Sequence, residues 1–217
     1  MSINTNQPSK VYLSSAYLAP VEYYSKLVLF PQAYIEQYDH YVKQTYRNRC
    51  VISGPNGLIP LTIPIIHPDS PKCFMKDIRI SDHGNWRSLH WNAIESAYNK
   101  TPFFEYYKDD FRPFYEQKHL FLFDFNEELC RLICRLIDIS VSIDRTDSYK
   151  TKVGSFEVDF RELIHPKKDY RVYDPQFVPR PYYQVFEYRH GFKPNLSIID
   201  LLFNMGPESL SILQPHN

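Results

Sequence analysis

The sequence predicts a mixed α/β (α+β) fold, with a mixed or antiparallel sheet that includes a basic hairpin and is packed by several helices. Three observations predict it. Helical and extended patterns interleave along the chain, with no internal repeat. Two β-rich runs flank the turn cluster Gly54-Pro55-Asn56-Gly57, and Asn-Gly is the strongest short hairpin signal. The inward stripe of Leu129, Ile133, Leu136 and Ile137 marks Glu127–Ile137 as an amphipathic helix.

In chain order, residues 1–10 read as a disordered tail, and residues 11–217 as one domain. Val11–Tyr17 alternates weakly, as a strand does. Pro20–Phe30 reads as a helix with Pro20 at its start and Tyr23, Leu27 and Phe30 on one stripe. Ala33–Asp39 is a short strand. Tyr41–Ile52 and Leu58–Ile66 are the two arms of the hairpin, and Pro60 and Pro64 confine the second arm to an edge. Lys76–Ile80 is a further strand, and Ser81 or Asp82 caps the helix Trp86–Asn99. Phe103–Gln117 is a helix that Pro113 should kink or divide. Asp124 or Asn126 caps Glu127–Ile137, and Ile139–Ile143 and Val153–Phe160 are extended. Residues 161–181 form an irregular, partly basic segment punctuated by proline, a length that points to function or mobility. Asn195–Asn204 is a helix capped by Asn195 or Ser197 and stopped by Gly206-Pro207.

Composition bounds the function. Lys plus Arg equals Asp plus Glu at 25 each, which argues against non-specific nucleic-acid binding. No apolar run is long enough to span a bilayer. The polar start Met1–Lys10 lacks the apolar core of a signal peptide, so a cytoplasmic location is expected and the 4 Cys are expected to be reduced. With no C-x-x-C pair, no metal site is expected. Only 6 Gly are present, with no G-x-G-x-x-G, no Walker-type loop and no G-x-S-x-G elbow. That removes nucleotide-loop and nucleophile-elbow enzymes and leaves the cofactor unknown.

The candidate site follows from the first hairpin arm. In a strand, Tyr41, Lys43, Thr45, Arg47 and Arg49 would share one face. Three cations on one short face repel each other unless water or an anion separates them, and forked guanidiniums suit phosphate. Lys43, Arg47 and Arg49, with the interleaved Tyr46 and Asn48, are therefore the candidate substrate-binding residues, and the partner is a phosphate-bearing small molecule such as a nucleotide sugar or acyl carrier. His90, on the apolar stripe of its helix, is the candidate general base; the competing reading is a satisfied core histidine. Cys50 falls on the face opposite the arginines and reads as a structural thiol.

Several stretches, in order along the chain, carry a family resemblance. They are Pro20-Val21-Glu22-Tyr23-Tyr24-Ser25-Lys26-Leu27; Tyr41 to Cys50 followed by Asn56-Gly57 and Leu61-Thr62-Ile63-Pro64; Trp86-Arg87-Ser88-Leu89-His90-Trp91 with Ala97-Tyr98; Thr101 to Tyr107; and Tyr183 to Phe186 with Leu196 to Leu202. The chain resembles the WbqC-like family over nearly its whole length. The resemblance implies a role in surface polysaccharide biosynthesis of the O-antigen type, and a likeness to proteins proposed to decorate amino sugars by aminoacyl transfer. Many relatives carry a His-Gln-Pro element after the first strand; here Leu13-Ser14-Ser15-Ala16-Tyr17-Leu18 stands in its place. Two readings follow: a transferase acting on a phosphate-bearing amino sugar, or a non-catalytic binding or assembly component of the same pathway. An enzyme should bring His90, a carboxylate such as Glu95 or Glu105, and the basic face into one cleft. A binding module should leave His90 in the core.

Overall fold

The computed structural model describes residues 8–68, 70 and 72–215. Residues 1–7 of the expected tail lie outside them, and Lys10 already opens the first strand.

Strand β1 (Lys10–Ser14), helix α1 (Val21–Leu29) and strand β2 (Gln32–Glu36) form a β-α-β unit. The two strands pair in parallel, from Lys10 opposite Gln32 to Ser14 opposite Glu36. Tyr23, Leu27 and Phe30 are buried, as their spacing predicts. Pro20 stands just outside the helix in extended backbone, and the N-terminus is capped from a distance: Glu22 N–H donates to Asn195 Oδ1 at 2.9 Å. Asn195, in the left-handed region at φ 56, thus caps α1 rather than the helix that follows it.

The basic run departs most from expectation. Only its end is strand: β3 (Arg49–Gly54) pairs antiparallel with β4 (Gly57–Thr62). Residues 41–48 make turns instead, with Gln44 left-handed at φ 61. Their carbonyls go to neighbouring segments rather than to a ladder: Tyr46 O accepts from Tyr17 N–H at 2.9 Å and Arg47 O from Asn126 Nδ2 at 2.8 Å. The hairpin turns through Pro55 and Asn56, with Gly57 taking φ 117, and Pro60 sits in the edge strand opposite Val51.

Helices α2 (Trp86–Tyr98), α3 (Phe104–Glu116) and α4 (Leu122–Ile137) follow. The expected strand Lys76–Ile80 is instead a 3-10 turn, Met75–Asp77, and two isolated bridges. Helix α3 runs through Pro113; the carbonyl that loses its N–H partner belongs to exposed Asp109, within reach of water. Helix α4 starts five residues early because Phe123 and Phe125 extend its buried stripe. It leads into β5 (Ser142–Arg145), which pairs parallel with β2. Strand β6 (Glu157–Asp159) pairs parallel with β1 on its other side.

The α/β class holds, with antiparallel pairing confined to the hairpin and a parallel sheet of order β5-β2-β1-β6 beside it. Strand β1 is central, and Val11, Tyr12 and Leu13 are all buried, as parallel strands covered on both faces are. Residues 161–181 are irregular apart from the single turn α5 (Tyr170–Tyr173). After α6 (Glu187–His190), helix α7 (Ile198–Met205) fills the centre of the core, and α8 (Ser209–Leu213) ends the described chain. Phe203 of α7 is fully buried against Tyr98, Phe104 and Phe111, with ring centroids 5.2–5.4 Å apart.

Candidate functional site

The strand order fixes where a site should lie. From β1 the chain winds outward through β2 and β5, then crosses to the opposite side of β1 for β6. In open parallel sheets, ligands bind beyond the carboxyl ends of the strands at such a reversal. Here that place is a small crevice between the segments leaving β1 and β6. Ser14, Tyr46, Arg47, Phe160, Arg161 and Ile164 are among its lining residues. Its enclosed volume is about 10 Å³, room for about one water.

Two arginines organise its floor. Arg47 is 3% exposed. Its Nη2 donates to Ser14 Oγ at 3.1 Å, to Glu162 Oε1 at 2.9 Å and to Asp39 Oδ2. Asn126 of α4 holds the Arg47 carbonyl and Ser15 Oγ together, which fixes the loop onto the exit from β1. Arg161 joins the strand ends: Nη1 reaches Glu36 Oε2 at 2.7 Å, and Nε and Nη2 take the two oxygens of Asp159 at 2.9 and 2.6 Å. Glu36 also accepts from Thr146 Oγ1 at 2.7 Å, just past β5. The carboxyl ends of all four strands thus meet in one ionic network. Two cations face four carboxylates, a formal charge of −2 with every acid ionised.

Two polar atoms of this network are buried without a partner: Arg47 Nε, a donor, and Asp39 Oδ1, an acceptor. Burial raises the Asp39 carboxyl above its usual range against the opposing pull of Arg47. Glu162 differs from the rest, because its side chain is 59% exposed.

The irregular segment carrying Glu162 is pinned a second time. Lys26 of α1 forms a buried ion pair with Asp174, and Glu22 lies one helical turn before it. Glu22 accepts from Asn195 Nδ2 at 3.0 Å and leaves Oε1 unpartnered. Burial, reinforced by Asp174, raises its carboxyl to about 7. The 161–181 segment is therefore tied down twice, by Glu162 to Arg47 of the crevice and by Asp174 to Lys26 of α1.

The six candidate residues separate in space. Arg47 and Tyr46 line the crevice; burial raises the Tyr46 phenol to about 12. Lys43 is exposed in a turn, and Asn48 turns toward the hairpin, donating to Ile63 O at 2.8 Å. Arg49 opens β3 with its Nε buried and unpartnered. Tyr41, on whose phenol both Arg49 and Arg47 act, lies near the two of them. The shared strand face is absent because residues 41–48 are not a strand.

His90 is 6% exposed, packed between the Tyr17 and Trp86 rings with centroids 5.7 and 5.1 Å away. Its Nδ1 is 3.0 Å from the Tyr17 hydroxyl, which also meets the Tyr115 hydroxyl at 2.8 Å. Burial pushes its pKa down to about 4, so the ring is neutral near pH 7. The unfolded chain binds a proton below about pH 6.5 that the folded chain refuses until about 4. Wild type should therefore lose about 3 kcal/mol relative to His90→Gln as pH falls through that window. Urea unfolding of both proteins at pH 7.5 and 4.5 reads this directly. A difference independent of pH would contradict the closed setting of His90.

Among the described residues no group of three or more His, Cys, Asp or Glu is arranged to hold a metal, and no helix is long and apolar enough to cross a membrane. Cys50, Cys130 and Cys134 are free and buried.

Comparison with known proteins adds one deciding match. The model of the WbqC-like protein family matches residues 15–161, more than half of the chain. The chain belongs to the WbqC-like family. The matched span takes in Asp39, Arg47 and Arg161 and stops just before Glu162. A protein of Mycobacterium tuberculosis named as uncharacterized protein Rv1507c is 28% identical over 228 residues, covering 94% of this chain and 97% of its own length. No solved structure matches this WbqC-like chain.

Ser14 and Arg161 line the crevice and Asp39 and Glu162 hold its Arg47, and none of the four stands among the residues expected from sequence. The signal available was position: Ser14, Glu36 and Asp159 all end strands of the parallel sheet.

Proposed function

We propose that this WbqC-like protein is a transferase of surface polysaccharide biosynthesis that binds a phosphate-bearing amino sugar in the crevice and passes an acyl or aminoacyl group to its amine. The pathway rests on family membership. The ligand rests on one observation: an unpartnered donor, Arg47 Nε, and an unpartnered acceptor, Asp39 Oδ1, are buried at the same site. A ligand carrying both an anion and an amine satisfies both atoms, and the surplus of carboxylates favours the amine. Glu162 is the partner of Arg47 most easily displaced, because its carboxylate regains water when it leaves. Phosphate then takes its place on the guanidinium. The sugar ammonium first gives a proton to Asp39; the free amine then attacks the donor's acyl carbon, the N–C bond forms as the donor's bond to that carbon breaks, and the second amine proton leaves with the donor's departing group. A crevice with room for about one water admits a sugar only when the 161–181 segment lifts.

The second reading, a non-catalytic binding or assembly component, is favoured by the closed setting of His90 and by the lack of a histidine among the crevice's lining residues. It shares the same ligand site.

Titration calorimetry with glucosamine 1-phosphate tests the site. Arg47→Met should weaken binding about 10–100-fold, the worth of a charge-assisted hydrogen-bonded contact. Glu162→Gln should tighten it by removing the competitor. Glucose 1-phosphate, without the amine, should bind more weakly to wild type but equally to Asp39→Asn. Unchanged affinity in Arg47→Met, with its fold intact, would overturn the assignment.

A further inference from the structure

A second concavity lies at the far end of the hairpin. It has a volume of about 460 Å³, within the range of small-molecule sites and far larger than the Arg47 crevice. Pro55 at the hairpin tip, Asn99 and Lys100 at the end of α2, and Phe186, Tyr188 and Arg189 of the α6 region form its walls. Strand β3 separates Pro55 from the Arg47 loop by its six residues, about 20 Å of extended chain, so the two sites are distinct.

The chemistry of the walls is one-sided. Lys100 and Arg189 have no carboxylate within salt-bridge distance among the described residues, and no acidic residue lines the cleft. Arg189 is oriented: Nη1 donates to Pro55 O at 3.3 Å and Nε to the Tyr188 hydroxyl at 2.7 Å. His190 Nε2 lies 3.2 Å from the same Pro55 carbonyl. Tyr188 is 76% exposed, a large aromatic face standing in water. The last carbonyls of α2 oppose an anion here, but Tyr98 O is already occupied by Thr101 N–H and Oγ1 at 2.9 and 2.7 Å. Unneutralised cations beside the exposed Tyr188 ring select an anion that also carries a flat aromatic group, with the ring stacked on tyrosine and the phosphates on the cations.

We propose that this cleft binds a nucleoside diphosphate, its base on Tyr188 and Phe186 and its phosphates on Lys100 and Arg189. The site stands independently of the crevice and of the transfer reaction.

The test is titration calorimetry of the full chain with UDP and ADP, with pyrophosphate and uridine as the separated halves. At least one nucleoside diphosphate should bind at least tenfold tighter than either half. Lys100→Glu with Arg189→Glu should weaken it at least tenfold, and Tyr188→Ala should bring it down to the affinity of pyrophosphate. These side chains are at the surface, and unchanged melting temperatures confirm the fold. Arg47→Met should leave this binding unchanged, which separates the cleft from the crevice. The proposal is overturned if neither nucleotide binds wild type, if the double variant binds as well as wild type, or if Arg47→Met abolishes binding.

Discussion

Lys26→Met should destabilise the protein by about 3–5 kcal/mol, the cost of leaving a buried charge uncompensated. Lys26 and Asp174 are both nearly inaccessible, with side chains 4% and 3% exposed. Met retains the apolar stem, so packing beside Phe160 and Phe177 is largely kept; the Lys26 Nζ lies 4.7 and 5.9 Å from their ring centres. What is lost is, among the described residues, the only ammonium between Glu22 and Asp174. The loss should deepen as pH rises. Glu22 has a folded pKa near 7 that Lys26 helps hold down; without the ammonium the carboxyl keeps its proton to higher pH, so the added loss appears as pH rises through about 7. Adding Asp174→Asn to Lys26→Met should recover part of the loss. Denaturant midpoints at constant slope decide it. A change below about 0.5 kcal/mol would mean the pair is open to water.

Arg161→Met is the second large effect, again about 3–5 kcal/mol. Glu36 is fully buried and would lose its charged partner, keeping only the Tyr38 N–H and the Thr146 hydroxyl. Asp159 would lose both arms of its fork. The variant should loosen the carboxyl ends of β2 and β6 before the rest of the sheet. Amide exchange should therefore accelerate around residues 36–39 and 157–162 more than in α7. Glu36→Gln in the same background should restore part of the stability, since a neutral amide tolerates burial that a lone carboxylate does not. Uniform acceleration across the chain would contradict a network confined to the strand ends.

The parts of this fold legible in the sequence are those with strong local periods. Helices α1, α2 and α4 show their stripes, and the hairpin shows its turn. The parallel sheet is hard to read because its strands are three to five residues long. Its central strand is also buried on both faces, which erases the alternation that marks a half-exposed strand. The alternation of residues 41–50 misleads for the opposite reason: a period of two appears in a segment whose backbone is bound by Tyr17 and Asn126. Arg47 is legible as a candidate residue by type, but its partners are not. Glu162 lies 115 positions away, and Glu36 and Arg161 meet across 125. No local pattern encodes such pairs; only the strand order brings them together. Glu22 and Lys26 sit four apart on α1, and the Asp174 that covers them lies far along the chain.

The central claim is that Arg47 holds the ligand's anion after Glu162 lets go. The most direct measurement is a crystal structure of the protein with bound glucosamine 1-phosphate. The account predicts phosphate oxygens on the Arg47 guanidinium including Nε, the sugar amine at Asp39 Oδ1, and Glu162 withdrawn into solvent with the 161–181 segment raised. A complex in which Glu162 still occupies Arg47 while the sugar phosphate binds elsewhere would contradict it.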